Sequence, residues 1–342
     1  MSKRRIFPLA VALLSFLYAA VLLAGFVAPY DPAEQDREYP FAPPTHLHFI
    51  DAQGTLHAWP FTYALTSSPD NFAQYQEDRG RVFPLRFFVA GENYSLLGFV
   101  ACHRHLYGVD EPGRLFLLGT DGYGRDQFSR LLWGGRISLL AGLIAATLSL
   151  SMGMLVGAAS GYFGGFVDDV LMWLVELFLA VPWLYLLFAV RAFLPLHIGP
   201  TVAFLLVVAV IGMVGWARPA RLIRGVVLSA RERKYVLAAR GFGASHFYLL
   251  RRHVLPQTMG VFLTQAALLV PQYILAEVTL SFLGLGVGEP VPSWGNMLGS
   301  LQQYHILASY WWMLVPGLVL VPVFWAYHVL ADFLHERVEF GH

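Results

Sequence analysis

The stretch KYVLAARGFGASHFYLLRRHVLP, Lys234 to Pro256, interrupts a chain that is otherwise strongly apolar. Tyr235, Ala238, Ala239 and Phe242 fall at i, i+3, i+4 and i+7, which draws one apolar stripe on a helix, and the alanines in its middle let a second surface come close. Gly243 follows where the helix end needs a residue tolerant of positive φ, and Ser245 is placed to cap what comes next. Phe247, Leu250 and Val254 then recur at helical spacing until Pro256, whose missing N–H ends the pattern. The stretch predicts a basic helix, a tight turn and a second helix. Two readings stay open on spacing alone: a hairpin lying on anionic headgroups, or a handle held out to a partner protein.

The surroundings identify the solvent. Hydrophobic residues make up 57% of the 342 and charged residues 13%, with a mean hydropathy of +0.56, too apolar for a water-soluble domain of this length. About 20 apolar residues cross roughly 30 Å of hydrocarbon as a helix. Six segments meet or approach that length: Ile6 to Ala28, Ile137 to Ala159, Val170 to Val190, Ile198 to Ala217, Met259 to Leu285 and Trp311 to Leu330. The fold class expected is an all-α polytopic membrane protein with six transmembrane helices. The first segment follows Lys3, Arg4 and Arg5 as a signal peptide would, but its apolar run is too long and Val27-Ala28-Pro29-Tyr30 is a poor cleavage site, so it reads as a retained anchor. Tyr310, Trp311 and Trp312, and in the third span Trp183 and Tyr185, read either as interfacial anchors or as helix-packing rings.

Charge sets the orientation. Arg218 to Pro256 holds nine lysines and arginines against one acid, Glu232, whereas Pro29 to Gly119 holds six against eleven acids. The positive-inside rule places the basic segment and both termini in the cytosol, and six crossings close that arrangement consistently. The chain then divides into residues 1–30, a cytosolic stub and first span; residues 31–118, an outer insert; and residues 119–342, a helical core carrying the basic segment 218–256.

The insert is too long for a mere connection. LHFIDAQGTLHAW and PLRFFVAGENYSLLGF alternate around Gly-containing turns and predict two β-hairpins, a small β-rich extracytoplasmic element. His46 with His48, or His103 with His105, would share a strand face near Cys102, but no carboxylate cluster completes a metal set, so no metal site is expected. A single cysteine also excludes an internal disulfide.

Other chemistry-bearing residues lie near the spans. In GTDGYGRDQFSR, Asp121, Arg125, Asp126 and Arg130 come within side-chain reach if Asp126 opens a helix; the cluster reads either as a cap for the second span or as an outer gate rim. Glu176 and Glu277 would each cost about 2.5 kcal/mol or more at the middle of a lone span, so they are expected to face the bundle interior or a wet pathway. Glu176 could also reach headgroups or the basic segment; Glu277, deeper and followed by Ser281, is the better candidate for meeting a cationic group on cargo. GLGVGEPVPSWGNM breaks the helix after the fifth span and is tolerable at membrane depth only beside protein or water, as a re-entrant gate would be. No GxxxxGK[ST] phosphate loop occurs in the sequence. Ser160 and His328 raise the alternative of an intramembrane hydrolase, but Ser160 falls at the cytosolic boundary and lacks the glycine two positions before it; no catalytic residue is assigned. A sensor would need an output module, and the tail after Leu330 is short.

Four ordered motifs carry a resemblance. Ala238-Ala239, three residues, Gly243, then Leu255-Pro256 resembles the coupling loop of ATP-binding-cassette importer permeases. LGTDGYGRDQFSRLLWGGRISL (Leu118 to Leu139), GYFGGFVDDVLM (Gly161 to Met172) and LAEVTLSFLGLGVGEPVPSWGNML (Leu275 to Leu298) are similar to signature segments of the oligopeptide, dipeptide and nickel permease family, C-type subunit. The resemblance covers Leu118 to the end and the first span, and leaves the insert outside. It implies the type I importer-permease fold, with Tyr235, Ala238, Ala239, Gly243, Phe247, Leu255 and Pro256 meeting an ATPase. It implies a second, B-type permease subunit, two ATP-binding subunits and an extracytoplasmic solute-binding protein as partners. ATP and Mg would sit on the ATPases, with no cofactor on this chain; lipid surrounds it and no nucleic acid is involved. Cargo would be di- or oligopeptides, or alternatively nickel or another small solute. One departure is plain: Leu237 stands where the family's loop carries a glutamate.

Overall fold

The computed structural model describes residues 3–68, 71–96, 100–193 and 199–339. In chain order the elements are helices α1 (Lys3–Leu22) and α2 (Ala24–Val27), strands β1 (His48–Ile50), β2 (Leu56–Ser68), β3 (Asn71–Pro84), β4 (Arg86–Leu96) and β5 (Val100–Gly108), then helices α3 (Gln127–Phe163), α4 (Gly165–Ala180), α5 (Trp183–Ala192), α6 (Pro200–Gly215), α7 (Ala217–Arg231), α8 (Lys234–Gly241), α9 (His246–Leu249), α10 (Leu255–Phe282), α11 (Trp294–Gly299), α12 (Tyr304–Ser309) and α13 (Val315–Glu339). They form two compact units, one of Met1–Leu14, Leu139–Leu280 and Val321–His342, the other of Ser15–Ser138 and Ser281–Leu320.

Three helical runs among the described residues are long and apolar enough to cross a membrane: Gln127–Phe163, His246–Phe282 and Trp311–Arg337. Two bent pairs raise the number to five if each is one span, and Ile6–Leu22 is a shorter apolar helix. The expected unbroken span Val170 to Val190 is corrected: α4 and α5 meet at 90°. Pro182 lacks an N–H and disfavours helix at the residue before it, and Val181 is accordingly extended, ψ 131°. Ile198, the expected start of the fourth span, lies outside the described residues; α6 begins at Pro200, a position where proline costs no hydrogen bond. The expected stop at Pro256 is corrected too, because helix runs from His246 to Phe282 without interruption. Residues Leu250–Val254 form a wider turn in which Leu255 N–H donates to the Leu250 carbonyl. That widening makes room for a proline ring that would meet the carbonyl four residues back in a regular helix.

The first unit is built around α7. Ile223, Val227 and Ala230 are buried on one face and pack with Ala158 of α3, Val236 of α8, Leu249 of α9 and Val254. The approach of α3 is unusually close because Gly153, Gly157 and Gly161 share one face at a spacing of four. A Cβ on Gly153 would lie 2.7 Å from the Pro219 Cβ, and one on Gly161 2.9 Å from the Val227 Cβ. Such stripes of small residues let helix backbones touch where lipid provides no hydrophobic drive. Deeper in the unit, the Ser149 and Tyr273 hydroxyls share a 2.8 Å hydrogen bond, and the Phe7 and Phe333 rings stack at 3.8 Å.

The second unit contains both sheets, antiparallel β1-β2-β3 and antiparallel β4-β5. The turn in LHFIDAQGTLHAW forms as read: Asp51 Oδ1 accepts from the N–H groups of Gln53 and Thr55. The second expected hairpin is corrected. β4 runs straight through Gly91, with a register shift between Ala90 and Tyr94, and pairs with β5; Leu97, Gly98 and Phe99 lie outside the described residues. Gly91 serves close approach and not a turn, since a Cβ there would meet the His105 ring at 2.5 Å. The length of β3 has no counterpart in the sequence reading. His105 Nδ1 lies 2.6 Å from the carbonyl of Ala28, the residue that ends α2, so β5 is fastened to the chain segment leaving the first helix.

Candidate functional site

The basic stretch folds as helix, turn, helix. At the end of α8 the Ala244 N–H reaches the Ala239 carbonyl and the Gly243 N–H the Arg240 carbonyl, with Gly243 at φ +83°. This is the closure that glycine completes at least cost. Ser245 caps α9, its hydroxyl accepting from the Tyr248 N–H at 3.3 Å. The Tyr162 hydroxyl and His246 Nδ1, 3.0 Å apart, tie the second helix to the end of α3.

The stripe of Tyr235, Ala238 and Phe242 is left unburied by the chain itself. Val236, Leu249 and Val254 point into the core. Tyr235 (42% exposed), Phe242 (92%) and Phe247 (72%) point out, as does Ala238, while Ala239 and Leu255 are half-buried and Pro256 is exposed. Leu237 is also exposed. The hairpin thus presents a row of unburied aromatic rings on a base locked by aliphatic packing. Exposed aromatic rings beside arginines suit either an anionic headgroup layer or a protein groove. A stripe of rings covered by its own fold would have spent that capacity on stability.

The charged cluster after the insert is in the second unit. Asp126 opens α3, its Oδ2 accepting from the Ser129 N–H at 2.8 Å and the Ser129 hydroxyl at 2.6 Å. Burial pushes its pKa up to about 6 against the pull of those bonds. Asp121 accepts from Arg125 Nε at 2.7 Å. Arg125 also donates to Glu289 at 2.5 and 3.2 Å, and Arg130 Nη2 donates to Glu289 Oε1 at 2.9 Å. Burial opposes the charge on Arg125, but the bonds to Glu289 and Asp121 outweigh it and hold the guanidinium above its ordinary range. Burial likewise opposes ionisation of Glu289, and the two arginines overcome it, holding the carboxyl below its usual range.

Glu289 was missed in the sequence. The signal was charge accounting: Asp126 is consumed as a cap, so two arginines faced only Asp121, and a second carboxylate had to come from elsewhere. It comes from the glycine- and proline-rich segment, which is ordered: Asn296 Nδ2 donates to the Val287 and Val291 carbonyls, and Ser293 and Asn296 form a reciprocal cap on α11. Also missed was Asp168 in α4, gripped by Arg224 Nε and Nη2 at 2.6 and 2.5 Å and bonded to the Ser160 hydroxyl.

The remaining candidates stand apart. Glu277 is fully buried on α10 and Ser281 nearly so. Glu176 is exposed on α4, away from the bundle interior and in keeping with the alternatives of a wet pathway or the headgroups. Ser160 bonds to Asp168, whereas His328 projects outward beside Asp332, so the two share no hydrogen bond. His48 pairs with Glu77 and His105 with backbone carbonyls; among the described residues no three metal-binding side chains converge.

Residues 153–340 match the family model described as the binding-protein-dependent transport system inner membrane component. The chain is 37% identical over 222 residues to the dipeptide transport system permease protein DppC of Bacillus subtilis (strain 168), covering 65% of this chain and 67% of that protein. It is 38% identical over 229 residues to the oligopeptide transport system permease protein OppC of Escherichia coli (strain K12), covering 67% and 73%. Among solved structures, the inward-facing MetNI methionine ABC transporter superposes with a TM-score of 0.47 at 16% identity, over 62% of this chain and 97% of the matched chain.

Proposed function

Because this chain belongs to the family of binding-protein-dependent transport system inner membrane components, we propose that it is the permease subunit of an ATP-driven importer of di- and oligopeptides. It forms half of the pathway beside a second permease, receives cargo from an extracytoplasmic solute-binding protein and is driven by two ATP-binding subunits, which carry ATP and Mg. It is a multi-pass protein of the inner membrane with six crossings in the type I permease arrangement. Its termini and the 234–256 hairpin lie in the cytosol, and the insert lies outside.

The observation that carries the reading is the division of labour in the hairpin. Leu249 and Val254 are buried while Phe242 and Phe247 stand out, so force applied to the rings reaches α7 and α10 through a stiff base. Closure of the ATPases moves the hairpin, and the helices follow as a rigid body. The peptide part of the reading comes from the relatives, two of which are named for dipeptide and oligopeptide transport.

Purification of the chain with its native partners in mild detergent, followed by mass spectrometry of the co-purifying subunits and of the solute on the binding protein, tests it. ATP-binding subunits and short peptides are expected. A bound nickel ion would reassign the cargo, and absence of any ATP-binding subunit would reject the coupling role.

A further inference from the structure

Arg125 and Arg130, 5% and 1% exposed, turn their guanidinium groups toward one carboxylate. That carboxylate, Glu289, comes from the loop between α10 and α11, and its side chain is 48% exposed. Two buried cations thus share a half-exposed anion on a segment rich in glycine and proline, with Asp121 as the second carboxylate. Beside them is a cavity of about 390 Å³ lined by Arg125, Arg130, Gln127, Asn296, Gln303 and Met313.

Two features of the cavity wall are unspent. Gln127 is 3% exposed; its amide nitrogen donates to Met313 Sδ, and its Oε1 has no hydrogen-bond partner among the described residues. The Arg130 Nε is in the same position, with Asp121 Oδ2 at 3.8 Å, beyond hydrogen-bond reach. The cluster of Arg125, Arg130, Asp121 and Glu289 sums to zero charge as it stands. Withdrawing Glu289 leaves Arg125 and Arg130 to share Asp121, at 2.7 and 3.8 Å, with one buried positive charge in excess, and uncompensated buried charge is disfavoured. An incoming anion that restores neutrality therefore favours departure of the loop. An arginine fork matches the paired oxygens of a carboxylate or a phosphate, and the group seated on Arg125 here is already a carboxylate.

We propose that this cavity is a binding site for the free carboxylate of a small organic cargo, in particular the C-terminus of a short peptide, and that Glu289 is the internal carboxylate it displaces. The peptide assignment rests on the transport function proposed above; the carboxylate chemistry rests on the cavity alone. Gln127 Oε1 then accepts from a peptide N–H, and the departing Glu289 releases the loop. Displacement couples movement of the loop to cargo. It also makes apparent affinity weak, because a tethered carboxylate competes at an effective concentration on the order of millimolar.

The test uses the full chain with its co-purifying subunits in nanodiscs, without the binding protein, and three probes: dialanine, dialanine amide and acetate. In the wild type, dialanine is expected to bind about tenfold more tightly than its amide, the loss expected for one charge-assisted bond. Glu289→Gln removes the competitor and should tighten both dialanine and acetate, whereas Arg130→Lys should weaken both and leave the amide unchanged. Equal affinity for dialanine and its amide overturns the proposal, as does a Glu289→Gln protein whose acetate affinity is unaltered. Acetate that tightens in Glu289→Gln without any dialanine binding keeps the carboxylate site and removes the peptide reading. Uptake of dialanine and its amide at equal rates by intact cells, measured alongside, does the reverse. If Glu289→Gln fails to assemble, the acid-against-amide comparison in the wild type decides alone.

Discussion

Arg224 of α7 holds Asp168 of α4 by two parallel bonds, Nε to Oδ1 at 2.6 Å and Nη2 to Oδ2 at 2.5 Å. The Ser160 hydroxyl bonds to the same carboxylate, and Arg231 donates to the Gly161 carbonyl at 2.9 Å. Together these ties fasten the ends of α3 and α4 to the helix that leads into the hairpin. The ties join three helices, α3, α4 and α7.

Arg224→Lys keeps the charge but replaces a fork by a point contact. We expect a loss of about 1–2 kcal/mol of stability and a larger loss of solute uptake, with ATP hydrolysis by the assembled complex persisting. Uptake and hydrolysis measured on the same proteoliposomes check this; a parallel fall in both would make the pair a matter of stability alone.

Gly243 is at φ +83° with open space around it. A side chain there meets no neighbour, so the cost is backbone strain, roughly 1–2 kcal/mol for alanine and more for a β-branched residue. Gly243→Val should abolish association with the ATPase while membrane insertion stays intact, and Gly243→Ala should weaken it partially. Pull-down from solubilised membranes, with the membrane-inserted fraction as control, reads the result.

Exposed and buried apolar residues of the hairpin should separate cleanly. Phe242→Ala and Phe247→Ala remove rings that touch solvent and should leave thermal stability unchanged while reducing ATPase binding about tenfold or more, the scale of an interfacial aromatic anchor. Leu249→Ala empties a core position and should cost about 2–5 kcal/mol. Thermal unfolding in detergent and quantitative pull-down distinguish the two groups.

Asp126 gives a pH prediction. Its folded pKa, about 6, lies above the ordinary carboxylate value of 3.8, so the folded state holds the proton more tightly than the unfolded state does. Stability contributed by this group is greatest below pH 4 and falls as pH rises from about 4 to 6, by about 3 kcal/mol in all. Asp126→Asn keeps an acceptor for Ser129 and discards the buried charge. Its stability relative to the wild type should rise across that window and level off above it, as followed by unfolding temperature against pH.

The parts of the molecule legible in the sequence were those set by local spacing. Gly243, Ser245 and the helix opened by Asp126 needed only residue type and position. Periodicity gave the stripe of Tyr235 and Phe242 as a face for a second surface, but not that Val236 and Leu249 lock the hairpin onto α7, a packing that depends on where α7 lies. Pro256 was read as a stop because a wider turn leaves no trace in composition. Glu289 and the Asp168–Arg224 pair join residues 164 and 56 positions apart, a pairing that no local pattern reports. The stripe Gly153, Gly157, Gly161 was visible at a spacing of four, but which helix it admits is a tertiary fact.

On the proposed function, the chain is moved from the cytosolic side through its hairpin. The direct measurement is labelling of Arg240→Cys by a membrane-impermeant maleimide in a Cys102→Ser background, in intact cells and in inverted membrane vesicles. The account predicts no label in intact cells, strong label in vesicles stripped of peripheral subunits, and protection when the ATP-binding subunit is restored. Label appearing in intact cells would put the hairpin on the wrong side of the membrane and contradict it.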